Sequence, residues 1–426
     1  MFRSAGKLAM LILVSASFIP MHPDSVAADS PSAAYALPGS FAKVDHALQS
    51  VADDLVALRR DIHRHPEISG QEKRTAGLVA KRMRALGLKV RTGVGGHGVV
   101  AVLRGARPGP VVALRADMDA FTSTEPDPVE FRSENPGIRH GCGHDVHTMV
   151  AIGTATGLAA IRGELPGTVV FIFQPAEETA SGARAMLADG VLDDPRPQAI
   201  FALHTAPLNV GQIGSQPGIL LAGRDALVVR LGGTGDLRSA ARKVSDILHG
   251  LTSIAPEQAV QAIVEDFVFV SAVRSSLVSA SGQCMVSAFV TTTSDSLRAE
   301  ARRSLDEGIA GLQVKDVTAE VDYRQRTIAG VLNDPDLERE SRAPISAVVG
   351  SSGLVPMRGV LPGFSEDFGF FEDEVPGVMY WLGVSNPEKG TIGMPHSPGY
   401  VADDGAILVG ARTMSAVLLD YLGSAD

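Results

Sequence analysis

The feature that most constrains this chain is a change of hydrophobic rhythm near its middle. Up to about Ala222, short runs that are apolar throughout ("GVVAVLRG", "PVVALRAD", "GTVVFIFQP", "AIFALHTA") alternate with helical patterns ("TMVAIGTATGLAAIRG", "SGARAMLADG"). Apolar strands separated by helices predict a sheet covered on both faces. From Gly223 to Arg326 the strands alternate polar and apolar residues instead. Their order is strand, helix, strand, strand, helix, strand, the split unit of a ferredoxin-like domain. The first rhythm then resumes, with "GVMYWLGVS" as a buried strand and "DDGAILVGARTMSAVLLDYL" as a closing helix. The expected architecture is α/β, with a ferredoxin-like α+β domain inserted into a larger one.

Two amphipathic helices precede the first strands. In "FAKVDHALQSVADDLVALRRDIHRHPE" the apolar positions Val51, Leu55 and Leu58 share a face, and Pro66 ends the pattern. "GQEKRTAGLVAKRMRALGLKV" is the second, stopped at Gly87. At the start, Arg3 and Lys7 precede an apolar run from Leu8 to Ile19, with small residues at Ser25, Ala27 and Ala28. That reads as a secretory signal cleaved near Ala27 or Ala28, so the chain is expected to be exported, periplasmic or secreted. The expected divisions are 1–28 signal peptide, 29–39 linker, 40–222 first part of the large domain, 223–328 inserted domain, and 329–426 second part.

The chain has 426 residues, 45% of them hydrophobic, and a net charge of −10. This is globular composition, and the acidic balance argues against nucleic acid or an anionic membrane as partner. The two cysteines, Cys142 and Cys284, make no disulfide framework. In an exported protein they could still form one bridge. A bridged Cys142 could not bind metal, so these readings exclude each other.

In open α/β sheets, ligands sit beyond the carboxyl ends of the strands. Three predicted strands end in suitable residues: Asp117 and Asp119, Glu177 and Glu178, and His204. "GCGHD" brings Cys142 and His144 before a helix, and "MPHSPGY" places His396 in a Pro-rich loop. Cysteine, histidine and carboxylate together suit zinc or a similar divalent ion. Cys142 and His144 cannot share a helix face, but a turn can aim both inward. A thiolate can bridge two ions, so one or two ions are expected. With Glu177 and Glu178 adjacent, one can bind metal while the other handles a proton. Asp119 can support a ligand from behind. Taken singly, each residue has a plainer reading: a buried thiol, a solvated acid pair, a strand-end or loop histidine. His63 and His65 read as helix-terminating rather than ligating, and His97, His140, His147 and His249 as surface or supporting residues.

These segments resemble the amidohydrolase branch of the aminoacylase-type metallopeptidases. That branch includes hippurate hydrolases, N-acyl-amino-acid deacylases and auxin-conjugate hydrolases. The resemblance rests on "LRRDIHRHPEISGQEKRTA", "LRADMDA", "NPGIRHGCGHDVHTMVAIGTA", "GTVVFIFQPAEETASGARAML", "ALHTAPLNVGQIGSQPG", "GFSEDFGFF" and "MPHSPGY", in that order. It implies a hydrolase-like zinc-peptidase catalytic domain carrying an inserted ferredoxin-like domain that usually dimerises. It implies metal ligands at Cys142, His144, Glu178, His204 and His396, with Glu177 as general base and acid. The implied ions are manganese or zinc, with cobalt as a third choice. The implied partner is a small-molecule amide substrate, without nucleic acid or, in the mature form, a membrane. One departure stands out. Where relatives carry a histidine that reaches the partner's site and stabilises the oxyanion, this chain has Asp236 and Leu237 in "LGGTGDLRSAARK". Three explanations stay open: His249 substitutes, another group such as Arg224 or Arg238 serves, or the protein is a weak or inactive ligand-binding relative.

Overall fold

A computed structural model describes residues 35–255, 263–278 and 282–424. The expected signal peptide and most of the linker lie outside them. In chain order the elements are α1 (Phe41–Arg64), α2 (Lys73–Ala85), β1 (Lys89–Val94), β2 (Gly98–Arg104), β3 (Arg107–Asp117), β4 (Phe121–Thr122), β5 (Ile138–Arg139), α3 (His144–Ala160), β6 (Pro166–Gln174), α4 (Gly182–Ala188) and β7 (Ala199–Asn209). There follow β8 (Ile213–Ser215), β9 (Gly218–Leu221), β10 (Gly223–Gly233), α5 (Leu237–Gly250), β11 (Val268–Val278), β12 (Gln283–Thr292), α6 (Asp295–Ala310) and β13 (Val317–Ile328). The chain closes with β14 (Val331–Asn333), α7 (Pro335–Val349), β15 (Leu354–Pro356), α8 (Gly369–Glu372), β16 (Gly377–Ser385) and α9 (Gly405–Gly423).

Eight strands form the large sheet, in the order β1-β2-β6-β3-β7-β16-β8-β15. Its centre is parallel: β3 pairs with β6 and β7, and β7 with β16. Both faces are covered, which explains why these strands read as unbroken apolar runs. Val112, Leu114, Phe171 and Phe173 pack into the core under α1, α2, α3 and α9, while Ala113, Val170 and Ile172 belong to the opposite core with Met186 and Phe371. Full burial of one such side chain is worth roughly 1.5–3 kcal/mol. Helix α9 is long and apolar enough to cross a membrane, but it is mostly buried, packed against α1, α3 and α7.

The second sheet is antiparallel, in the order β11-β12-β10-β13. That is the ferredoxin-like arrangement expected from the sequence pattern. Helices α5 and α6 cover one face, and Leu227, Val229 and Leu231 of β10 point into the core beneath them. Arg224, Ala226, Val228 and Arg230 alternate to the other face and are only partly buried. Where the resemblance led one to expect a histidine, Asp236 caps α5. Its Oδ1 accepts the backbone N–H groups of Arg238 at 3.1 Å and Ser239 at 3.0 Å.

Candidate metal centre

The carboxyl ends of the parallel strands deliver the site. β3 ends at Asp117 and leads to Asp119, and β6 ends beside it at Gln174, leading to Glu177 and Glu178. β7 presents His204 opposite Trp381 of β16. The cysteine arrives on the turn before α3. Gly143 caps that helix in the left-handed region at φ +96°. A Cβ there would lie 2.3 Å from the Tyr400 hydroxyl and 2.6 Å from Thr205, so only glycine lets the turn pass. His396 is also left-handed, at φ +59°; its ring stacks on Phe121 at 4.6 Å, and its N–H donates to the Gly141 carbonyl at 2.8 Å.

The donor atoms of Cys142, His144 and His204 lie within 4.8 Å of one another. So do those of Cys142, Glu178 and His396. The two triads share the Cys142 sulfur, which is 3.4 Å from His204 Nε2. All five residues proposed from sequence therefore converge. Both cysteines are free and Cys284 sits in the small-domain core, so the bridged alternative for Cys142 falls away.

Each histidine is oriented from behind. His144 Nδ1 donates to the Asp119 carbonyl at 2.8 Å, leaving Nε2 facing the triad, and His204 Nδ1 donates to the Thr205 carbonyl at 2.8 Å. Asp119 accepts from Ser69 Oγ at 2.6 Å and from the N–H groups of Glu177 and Glu178 at 3.1 and 3.0 Å. It thus pins the two acids as well as one ligand. His147 is consumed structurally: Nδ1 donates to Asp117 at 2.6 Å and Nε2 accepts from Thr205 N–H at 2.8 Å.

Whether these residues suit a metal is a question of charge and orphaned atoms. His144 Nε2 and Glu178 Oε1 are buried without a hydrogen-bond partner. Asp117, Asp119, Glu177, Glu366 and Asp367 are buried around them, and Glu178 nearly so. The buried guanidinium among them is Arg115, which donates to Asp117 at 2.7 Å and to both Glu366 oxygens at 3.2 and 2.7 Å. Such an excess of buried negative charge is costly without further cations. The proton affinities register the strain. Burial, with Asp119 and Asp117 adding to it against His144, pushes Glu178 up to about 8. Burial, then Glu366 and Glu178, push Glu177 well above the carboxylate range. Burial opposes charge on His144, but Asp117 and Cys142 hold it well above its ordinary value. Burial pushes the Cys142 thiol up, so a nearby cation is what would hold it as thiolate. The residues fit one or two divalent ions.

Several participants went unassigned from sequence. Glu366 and Asp367 of "GFSEDFGFF" bring their oxygens within 4.8 Å of Glu177 and tie it to Arg115; Gln174 joins them, donating to Asp367 at 2.7 Å. Helix α1 ends within "IHRHPE", as expected, with His63 in its last turn; there it is also buried, with Nδ1 2.9 Å from Asp145 and Nε2 3.2 Å from Asp127, a pairing the sequence did not announce. His65 caps the helix. Of the three groups weighed for the missing histidine, His249 is exposed on α5 with Nδ1 donating to the Ser245 carbonyl, and Arg238 is exposed in that helix's first turn. Arg224 alone of the three lies on the sheet face that α5 and α6 leave open.

The profile of Peptidase family M20/M25/M40 matches residues 113–420. The chain is 31% identical to the N-acetylcysteine deacetylase of Bacillus subtilis, over 84% of this chain and 94% of that one. It is 30% identical to the IAA-amino acid hydrolase ILR1-like 4 of Arabidopsis thaliana, over 87% and 86%. Among solved structures, the Bacillus subtilis YXEP protein, described as a dinuclear metal binding peptidase from the M20 family, superposes with a TM-score of 0.73 at 29% identity, covering 88% of this chain and 99% of that one.

Proposed function

Since this chain belongs to peptidase family M20/M25/M40 and is a hydrolase of amide bonds, we propose that it removes the acyl group from N-acyl amino acids or small peptide-like amides, using a metal pair. The observation that carries this reading is the pair of donor triads sharing Cys142, set beside a free carboxylate, Glu177. Cys142, His144 and His204 would hold one ion, and Cys142, Glu178 and His396 the other. When bound, the ions supply the positive charge that polarises the amide carbonyl and acidifies water.

The remaining steps belong to the protein. Glu177 accepts a proton from the attacking water on its carboxylate and returns it to the leaving nitrogen. Asp119 holds Glu177 and Glu178 by their backbones, so the two carboxylates keep separate directions. Arg115, gripping Glu366, fixes the acids behind Glu177.

Purified protein charged with manganese, zinc or cobalt should release amino acid from a panel of N-acyl amino acids, and chelator-stripped protein should not. Glu177→Gln should lower kcat about 10²–10⁴-fold with metal content unchanged. Cys142→Ser should reduce metal content more than His204→Ala or His396→Ala, because the sulfur belongs to both triads. If metal-loaded protein cleaves nothing and Glu177→Gln changes nothing, a ligand-binding relative replaces the enzyme.

We also propose that the chain is exported and that it forms a homodimer. Export predicts a mature N-terminus at about Ala28 or Asp29, read by terminal sequencing of the native protein. A homodimer through the edge strand β11 predicts twice the monomer mass by light scattering.

A further inference from the structure

The two donor triads are not equally braced. Cys142, His144 and His204 are buried, and both histidines are tied from behind by backbone carbonyls. His396 belongs only to the other triad, and its side chain is 45% exposed. Its Nε2 lies 3.5 Å from Glu178 Oε2, and among the described residues no hydrogen bond ties the ring from behind. Its backbone is left-handed, a conformation that a non-glycine residue keeps only where its surroundings hold it. A half-exposed ligand on such a backbone needs something else to fix it.

Two residues outside the triads supply that support. Phe121 and Arg139 face each other across the two-stranded β4–β5 ladder. The Phe121 ring lies on the His396 imidazole, with centroids 4.6 Å apart and planes 19° from parallel. The Arg139 guanidinium grips the residues that follow His396. It donates to the Ser397 carbonyl at 2.6 Å and the Pro398 carbonyl at 3.4 Å, and is anchored on its other side by the Pro126 carbonyl at 2.6 Å. Arg139 is buried, and among the described residues no carboxylate is bonded to it, so its charge is spent on loop carbonyls. Gly141, whose carbonyl accepts the His396 N–H, is pinched by the pair. A Cβ there would lie 2.8 Å from Phe121 Cζ and 3.0 Å from Arg139 Nε. The clamp thus closes on the His396 loop, whereas α3 and β7 place His144 and His204.

We infer that Phe121 and Arg139 are positioning residues that clamp the His396 loop and thereby set how tightly the second ion, that of Cys142, Glu178 and His396, is held; this rests on the metal-pair reading above. The first ion keeps its ligands without them. The second is therefore the exchangeable ion of the pair, and residues that are not ligands govern its occupancy.

Metal binding tests this apart from turnover. Chelator-stripped protein is titrated calorimetrically with manganese as wild type, Phe121→Leu, Arg139→Gln and His396→Ala, and with each clamp substitution added to His396→Ala; the melting temperatures of the stripped proteins are compared. Wild type should take two ions, the second more weakly. Phe121→Leu and Arg139→Gln should each weaken the second ion about 10–100-fold and leave the first unchanged. Arg139→Lys keeps the charge without the fork, so it should fall between wild type and Arg139→Gln, and it serves where the Gln variant melts lower. In the His396→Ala background neither clamp substitution should weaken manganese binding further, because the ligand through which they act is gone. Equal weakening of both ions, further weakening without His396, or unchanged binding in both clamp variants overturns the assignment and leaves the metal pair standing. If His396→Ala itself leaves manganese binding unchanged, the metal-pair reading fails, and the clamp falls with it.

Discussion

Glu177 and Glu178 are neighbours in sequence, yet Glu178 faces Cys142 and His396 while Glu177 faces Glu366 and Asp367. Adjacent side chains diverge because Asp119 anchors both backbone N–H groups. The same dependence on a hidden partner governs His63. Burial disfavours its charge, but Asp145 and Asp127 outweigh that, and its proton affinity is raised. The unfolded imidazole titrates near about 6.5. The stabilisation from His63 is therefore fully present below that pH and is lost as pH rises through the folded value. Asp127 is lowered, against burial, by His63, so its share is present above the ordinary aspartate range and is lost as pH falls through its folded value. His63→Gln should destabilise chelator-treated protein by about 1.5–3 kcal/mol near pH 5.5. Urea denaturation should show that difference shrinking by pH 9; a constant difference would remove the ion pair from the account. The candidate ligands were legible in sequence because donor residue types stand beyond apolar strands, as Glu178 and His204 do, or in short glycine- or proline-bearing loops, as Cys142, His144 and His396 do. Arg115 was not, because Glu366 lies 251 residues away and no local pattern couples them.

At the scale of elements, α3 delivers His144 from its first turn, so its packing sets where that ligand stands. The helix is buried almost all round, squeezed between α1 and α9. Gly153 makes this possible: a Cβ there would lie 2.9 Å from the Ala411 Cβ and 3.2 Å from Leu55 Cδ1. Gly77 in α2 is the opposite case, with nothing within 4 Å of its virtual Cβ. Gly77→Ala should therefore stabilise the protein by about 0.8–1 kcal/mol through helix propensity alone. Gly153→Val should destabilise it by about 1–3 kcal/mol through overpacking and lower its metal content by displacing His144. Thermal melts with metal analysis check both; a neutral Gly153→Val would mean that α3 has slack. The sequence announced α3 and both domains through periodicity, since period depends on near neighbours. It could not distinguish these two glycines, because what surrounds each comes from helices far along the chain.

Across the whole molecule, the hydrophobic interior is divided. The large sheet carries a core on each face, and the small domain has its own, built from Leu227, Val229, Val244, Leu248, Val286, Val290 and Leu305. None of the metal-triad residues belongs to this third core. A small apolar cluster, Phe267 and Val264 against Ala222, Ile219 and Val360, ties the small domain in together with polar links. Arg326 pairs with Asp373 at 2.7 Å, and its carbonyl accepts from the Arg184 guanidinium. The first of these is half exposed and so worth roughly 0–1 kcal/mol. Separate cores joined by one small apolar cluster and weak polar links should open separately. Leu305→Ala removes a fully buried side chain and should cost about 2–5 kcal/mol, all within the small domain. Hydrogen exchange should then quicken across β10, β12 and α6 while α3, β6 and β7 keep their protection, and metal content should stay at the wild-type value. Uniform quickening across both sheets would instead make the chain one cooperative unit.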